Sequence, residues 1–251
     1  VGRKRKKKMP VPEIPAPDRQ EVLLALFILS LSIVLSYCWI LDGTWAMDDI
    51  VANRTVKIRD FTQLMGYRKI AMLTFMLNQK IGGFSPVSYR IINILIHIIN
   101  TILVFSISIK TLNNVGRRDI SFTASFLAAV FFGLHPININ AVTYIVQRMT
   151  SLATLFVLLS LVLYCYGRTA GRKAFSMLFL ILSGISLTLG VLTKENAILG
   201  IPLIGLYEIF FIRTERKRLI LVGGIVLVLL VAGGIFLMNV LDLGTKLREF
   251  V

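Results

Sequence analysis

Apolar residues in this chain run in blocks close to bilayer length, at about 22–41, 87–112, 120–134, 150–167, 174–192, 197–212 and 219–240. A helix of about 20 apolar residues crosses the ~30 Å hydrocarbon core and satisfies its own backbone there. The pattern therefore predicts an all-α, polytopic transmembrane helical bundle of about seven spans. The third block is short, and its helix is expected to extend past the membrane surface. The first block is too long for the core of a cleaved signal peptide and ends in bulky Tyr37, Cys38 and Trp39, so it reads as a retained signal-anchor. Residues 1–21 form a basic, Pro-rich segment ahead of a membrane domain over 22–251.

Charge strengthens this picture. Only 16% of residues are charged, against about 25% in a typical soluble domain, too few to coat a water-soluble surface. A net charge of +15 would suggest nucleic acid in a soluble protein. Here the basic residues sit between apolar blocks, so the expected partner is the lipid bilayer and not nucleic acid. With the N-terminus in the cytoplasm, every cytoplasmic segment is basic in turn: Arg3 to Lys8 with Arg19, then Lys110, Arg117 and Arg118, then Arg168, Arg172 and Lys173, then Arg213, Arg216, Lys217 and Arg218. That is the positive-inside pattern. It places loop 42–86 outside the cytoplasm. Cys38 and Cys165 both fall inside blocks and imply neither a disulfide framework nor a metal set.

The outer segments hold the candidate chemistry. Loop 42–86 is long and mixed in charge, as functional loops often are, and its stretch Ile70 to Leu77 has the amphipathic-to-apolar character of a surface helix. Asp48 and Asp49 follow the first span directly and suit a general base or a cation site. Arg90, Asn93 and His97 recur at helical spacing near the start of the second span. Polar groups at that depth either join helices or face a wet cavity. His135-Pro136 ends the third block, and Pro136 is suited to open a helix. The short turn Thr193-Lys194-Glu195-Asn196 lies on the same side. Arg68, Arg148 and Lys194 are expected to converge there, a set of cations suited to a lipid-linked phosphate. No phosphate-binding Gly loop, nucleophile elbow or Cys cluster is present. Gly223-Gly224 and Gly233-Gly234 in the last block suit close helix packing.

Taken in order, Met47-Asp48-Asp49-Ile50 resembles the acidic first-loop motif of the glycosyltransferase-C superfamily. Tyr67-Arg68, Asn78, Gly82-Gly83, Tyr89, Asn93, His97, Leu134-His135-Pro136, Ala141 to Arg148 and Lys194-Glu195 resemble the transmembrane-and-tetratricopeptide-repeat O-mannosyltransferase-like family over about residues 40–210. The resemblance implies transfer of a sugar from a polyprenyl-phosphate carrier to an extracytoplasmic hydroxyl of a protein or glycan. It implies Asp48 as base with Asp49 beside it, and Arg68, Arg90, His135, Arg148 and Lys194 around the donor phosphate. Asn93, His97, Asn140 and Glu195 would serve the acceptor or support those groups. The donor is a lipid-linked sugar, and neither a resident cofactor nor a metal ion is expected.

Three positions depart from the family pattern: Asn140 stands where relatives usually carry Glu, Lys69 where they carry Pro, and Arg90 where they carry His. No tetratricopeptide repeat follows the last block, and Val1 reads as a GUG start, which suggests the inner membrane of a bacterium. A second reading therefore stands beside the first: a non-catalytic or truncated membrane subunit that works with a second polypeptide carrying the missing spans and repeats.

Overall fold

The computed structural model describes residues 17–45 and 68–212, and among them every regular element is helical. The elements are α1 (Arg19–Tyr37), α2 (Lys69–Gly82), α3 (Pro86–Asn114), α4 (Arg118–Leu134), the short α5 (Ile139–Thr143), α6 (Arg148–Thr169), α7 (Lys173–Thr193) and α8 (Gly200–Phe211). Single 3₁₀ turns sit at Cys38–Ile40, Pro136–Asn138, Ile145–Gln147 and Glu195–Leu199.

Local chemistry sets the helix ends. Asp18 and Glu21 form a reciprocal capping box that opens α1 a little before the apolar block begins. Pro86 opens α3, where its missing N–H is no loss. Between α2 and α3 the chain turns at Gly83, with φ 63° and ψ −150°, a region that only glycine occupies readily. A Cβ on Gly82 would lie 2.5 Å from that of Ser88. Gly83→Ala is therefore expected to cost about 1–3 kcal/mol, seen as a lowered thermal midpoint of the detergent-solubilised protein.

Four helical stretches are long and apolar enough to cross a membrane: Arg19–Ile40, Pro86–Asn114, Ile145–Thr169 and Lys173–Thr193. A fifth results if Arg118–Leu134 and Pro136–Thr143, bent by 46°, count as one broken span. The break follows from Pro136, which cannot donate to the helix ladder and holds His135 extended at φ −66°, ψ 129°. The third block thus runs beyond α4, but as a bent continuation. The block expected at 197–212 begins in a 3₁₀ turn, which leaves α8 with 12 residues, about 18 Å at 1.5 Å per residue. The block at 219–240 and the glycine pairs in it lie outside the described residues. Four to five spans among the described residues stand where six of the seven blocks fall.

Side chains that contact lipid need not be polar, so helix association relies on close packing of small residues and on interhelical hydrogen bonds. Ser121, Ser125, Ala129 and Gly133 bury one stripe of α4; a Cβ on Gly133 would stand 3.1 Å from Thr101. Ser160 and Ser183 exchange hydroxyl-to-carbonyl hydrogen bonds of 2.8 Å across the α6–α7 contact, and Ser186 donates to the Phe156 carbonyl at 2.8 Å. The outward faces, such as Ile181 and Ile185 on α7, remain apolar and exposed.

Helix α2 packs through Ala71, Met72, Phe75 and Asn78, while Leu73, Leu77 and Ile81 point outward. The loop-rich end of the bundle collects Leu41–Trp45, α2, the start of α3, the 135–147 segment and the Lys194 turn. The opposite end collects Lys110, Arg117, Arg118, Arg168, Arg172 and Lys173. There Arg168 clamps the fully buried Glu208 through contacts of 2.5 and 3.0 Å, and Tyr164 donates to the same carboxylate at 2.9 Å.

Candidate functional site at the loop-rich end

A polar stripe on α3 builds this end. Arg90, only 4% exposed, donates to the carbonyls of Leu41 (3.2 Å), Gly43, Thr44 (2.7 Å) and Thr143 (3.3 Å). A planar fork with several fixed donors suits such a bundle of carbonyls. One turn on, Asn93 donates to the Val142 carbonyl at 3.2 Å. His97 donates through Nε2 to the Gly133 carbonyl at 2.9 Å; its ring packs between Tyr37 and Phe132. Asn100 continues the stripe to the Ser151 carbonyl at 3.0 Å. Arg90, Asn93 and His97 thus supply donors to Thr143, Val142 and Gly133, carbonyls of the broken 133–147 segment. Arg90 also fixes the chain as it leaves α1, and Trp45 packs edge-on against Tyr89 at 5.2 Å.

Arg148 has no exposed surface. It donates through Nε to Asn93 Oδ1 at 2.8 Å, and through Nη2 to Asn78 Oδ1 at 2.7 Å and the Tyr89 carbonyl at 2.8 Å. Its Nη1 reaches the Thr74 carbonyl at 3.4 Å. The guanidinium also lies over the rings of Phe75 and Tyr89, 4.5 and 5.3 Å from their centroids, a favourable cation–π arrangement. Arg148 thus ties α2, α3 and α6 together at the core of this end, away from the cations with which it was expected to converge.

Arg68 pairs with Glu195, the residue that follows Lys194. Arg68 donates to both Glu195 oxygens, at 2.8 and 3.4 Å, with the two side chains 43% and 32% exposed. Lys194 donates to Thr150 Oγ1 at 2.7 Å, and that hydroxyl donates to Gln147 Oε1 at 2.7 Å. The hydrogen-bonded Arg68 guanidinium holds the Glu195 carboxyl below its ordinary value of 4.5, with the nearby charges of Arg68 and Lys194 adding to the effect. A carboxyl whose pKa is lowered on folding stabilises the fold above its unfolded value and loses that contribution as pH falls through the lowered value. The wild-type advantage in thermal midpoint over Glu195→Gln is thus expected to be constant near neutrality and to shrink below pH 4.5. Because the pair is partly exposed, the advantage is small.

Lys194, Thr150 and Asn196 stand at the head of a cleft of about 270 Å³ between α6, the 195–199 turn and α8. Its walls are apolar and include Ala153, Val157, Leu158 and Leu203. Gly200 lines the same cleft, where a Cβ would come within 2.5 Å of Leu187.

His135 accepts from the Ile137 N–H at 3.1 Å through Nδ1 and stacks edge-on against Phe131, so it caps the break after α4. Asn140 is exposed. Asp48 and Asp49 lie outside the described residues. Thr150 and Asn100 are not among the residues to which the sequence points. Asn100 extends the Arg90, Asn93, His97 spacing by one further step; Thr150 carries no signal until Lys194 is placed beside it.

Several curated proteins are similar to this chain. Protein O-mannosyl-transferase TMTC4 of Mus musculus is 35% identical over 238 residues, which cover 82% of this chain and 31% of the relative. The Homo sapiens TMTC4 protein is 37% identical over 166 residues, 62% and 22% of the two chains. Protein O-mannosyl-transferase TMTC2 of Homo sapiens is 35% identical over 156 residues, 61% and 18%. The chain spans less than a third of the length of these relatives. No family model and no solved structure matches it.

Proposed function

We propose, from the premise that this membrane chain is a relative of the transmembrane-and-tetratricopeptide-repeat protein O-mannosyl-transferases, that it is a glycosyltransferase-C-type domain. In this reading it moves a sugar from a polyprenyl-phosphate carrier to a hydroxyl of an extracytoplasmic protein or glycan. The observation that carries the reading is the pairing of a fixed cation, Lys194, with the apolar cleft that runs from it between α6 and α8. A ligand suited to that pairing has an anionic head and a hydrocarbon tail.

In the proposed reaction, the Asp48 carboxylate takes the acceptor's hydroxyl proton, with Asp49 beside it. The acceptor oxygen attacks the anomeric carbon, and the bond from that carbon to the phosphate oxygen breaks. The polyprenyl phosphate departs with the bonding electrons, and Lys194 and Arg68 offset its charge. The leaving group is already activated, so no general acid is required. Arg90 and Arg148 act at one remove. Arg90 holds the strand of chain that leads to Asp48, and Arg148 holds α2, whose first turn follows Arg68. The basic segments at the opposite end favour a cytoplasmic location for that end, with loop 42–86 outside.

The test is an assay of membranes containing this chain with a radiolabelled polyprenyl-phosphate mannose and a Ser/Thr-rich acceptor peptide. Product is expected from wild type. Lys194→Met is expected to raise the donor KM about tenfold or more, consistent with loss of one charge-assisted contact to phosphate, with kcat affected less. An unchanged donor KM would remove Lys194 from the role. Asn140, an exposed amide where the resemblance expects a carboxylate, favours a second reading as a non-catalytic or partner-dependent subunit. Donor binding without product would support that reading.

A further inference from the structure

The Arg68–Glu195 pair joins the start of α2 to the 195–199 turn, and Glu195 sits in sequence between Lys194 and Asn196, which line the head of the cleft. The geometry is that of a guanidinium receiving an oxyanion: both carboxylate oxygens face one edge of the fork, at 2.8 and 3.4 Å. A phosphate monoester or diester offers the same two-oxygen edge to an arginine. Glu195 directly follows Lys194, whose charge contributes to lowering the carboxyl's pKa. The carboxylate therefore lies in the field of the same two cations that the reading above gives to the donor phosphate. Both side chains are partly exposed. Exchange at Arg68 needs no opening of the core, unlike at Arg148, which is fully buried.

We propose that Glu195 is an internal stand-in for the donor phosphate: it occupies Arg68 in the resting protein and is displaced when a lipid-linked phosphate enters the head of the cleft. The inference rests on the reading of this end as a lipid-phosphate site and adds a regulatory contact to it. Glu195 keeps Arg68 oriented and its charge neutralised while the site is empty. Every donor must compete with it, which weakens apparent affinity and favours ligands able to engage Arg68 and Lys194 together. An anion without a tail gains only the head contacts and competes poorly.

Farnesyl phosphate, inorganic phosphate and farnesol serve as probes, titrated against the purified full chain in detergent by microscale thermophoresis. The arms are wild type, Glu195→Gln, Arg68→Met and the double variant; thermal midpoints report folding. Glu195→Gln is expected to bind farnesyl phosphate about two- to fivefold more tightly than wild type, the scale of one partly exposed ion pair. The gain should be absent when Glu195→Gln is added to Arg68→Met. Inorganic phosphate is expected to bind much more weakly than farnesyl phosphate in every arm. Equal or weaker binding of farnesyl phosphate by folded Glu195→Gln overturns the inference, as does the same gain in the Arg68→Met background. Both outcomes leave the lipid-phosphate reading intact if wild type still prefers farnesyl phosphate to farnesol. If no arm distinguishes farnesyl phosphate from farnesol, the lipid-phosphate reading fails and the inference fails with it.

Discussion

Arg148→Met is expected to cost about 3 kcal/mol or more of stability, the largest structural effect of any single substitution at the loop-rich end. The side chain supplies donors at 2.7–2.8 Å to Asn93 Oδ1, Asn78 Oδ1 and the Tyr89 carbonyl, all within a fully buried cluster. Each acceptor left without a donor costs about 1–3 kcal/mol. Two features make Arg148→Lys almost as damaging. An ammonium is a point donor without a planar fork, so it cannot reach α2 and α3 with the same spread. It also packs less well against the Phe75 and Tyr89 rings, which the flat guanidinium now faces. Thermal unfolding monitored by size-exclusion in detergent checks this. A midpoint equivalent to a change of less than ~0.5 kcal/mol, the usual range for a surface substitution, would show that the cluster does not hold α2 in place.

The largest functional effect is expected from Asp48→Asn: a loss of about 10²–10⁴ in sugar transfer, the usual contribution of a positioned general base. An amide has the shape of the carboxylate but cannot accept the acceptor's proton. Membrane insertion and the thermal midpoint should stay at wild-type values, since Arg90 grips the carbonyls that anchor the preceding chain. Asp49→Asn should lose less, as the neighbour of the proposed base. Retained transfer by Asp48→Asn in correctly inserted protein would move the base elsewhere.

Much of the helical framework was legible because bilayer-length apolar runs leave few alternatives. Pro86 and the Asp18/Glu21 capping box mark helix starts that composition alone leaves a few residues loose. The bend after Leu134 was signalled by Pro136, but its angle depends on how α3 side chains catch the freed carbonyls. The length of α8 was not legible: residues 197–212 are apolar apart from Glu208, and the apolar run alone does not set the 3₁₀ turn over Glu195–Leu199 apart from the helix.

The cations show the same limit. Arg68, Arg148 and Lys194 are indistinguishable as basic residues near the ends of apolar blocks. What separates them is the element packed above each one. Helix α2 brings Asn78, Thr74 and Phe75 over Arg148 and so takes it into the core. Arg68, at the head of that helix, is left at the surface, where the sequence neighbour of Lys194 captures it. Periodicity reports which face of α2 is buried, but not what lies beneath it.

In the proposed function, the cleft headed by Lys194 receives a lipid tail whose phosphate lies at the loop-rich end. Photo-cross-linking tests it most directly, with a polyprenyl phosphate that carries a diazirine in its isoprenoid chain, added to membranes containing the wild-type chain. Adducts are expected on residues 153–158 and 197–203, suppressed by excess farnesyl phosphate and reduced in Lys194→Met. Adducts confined to the Arg168–Lys173 end, or a pattern unaffected by farnesyl phosphate, would contradict it.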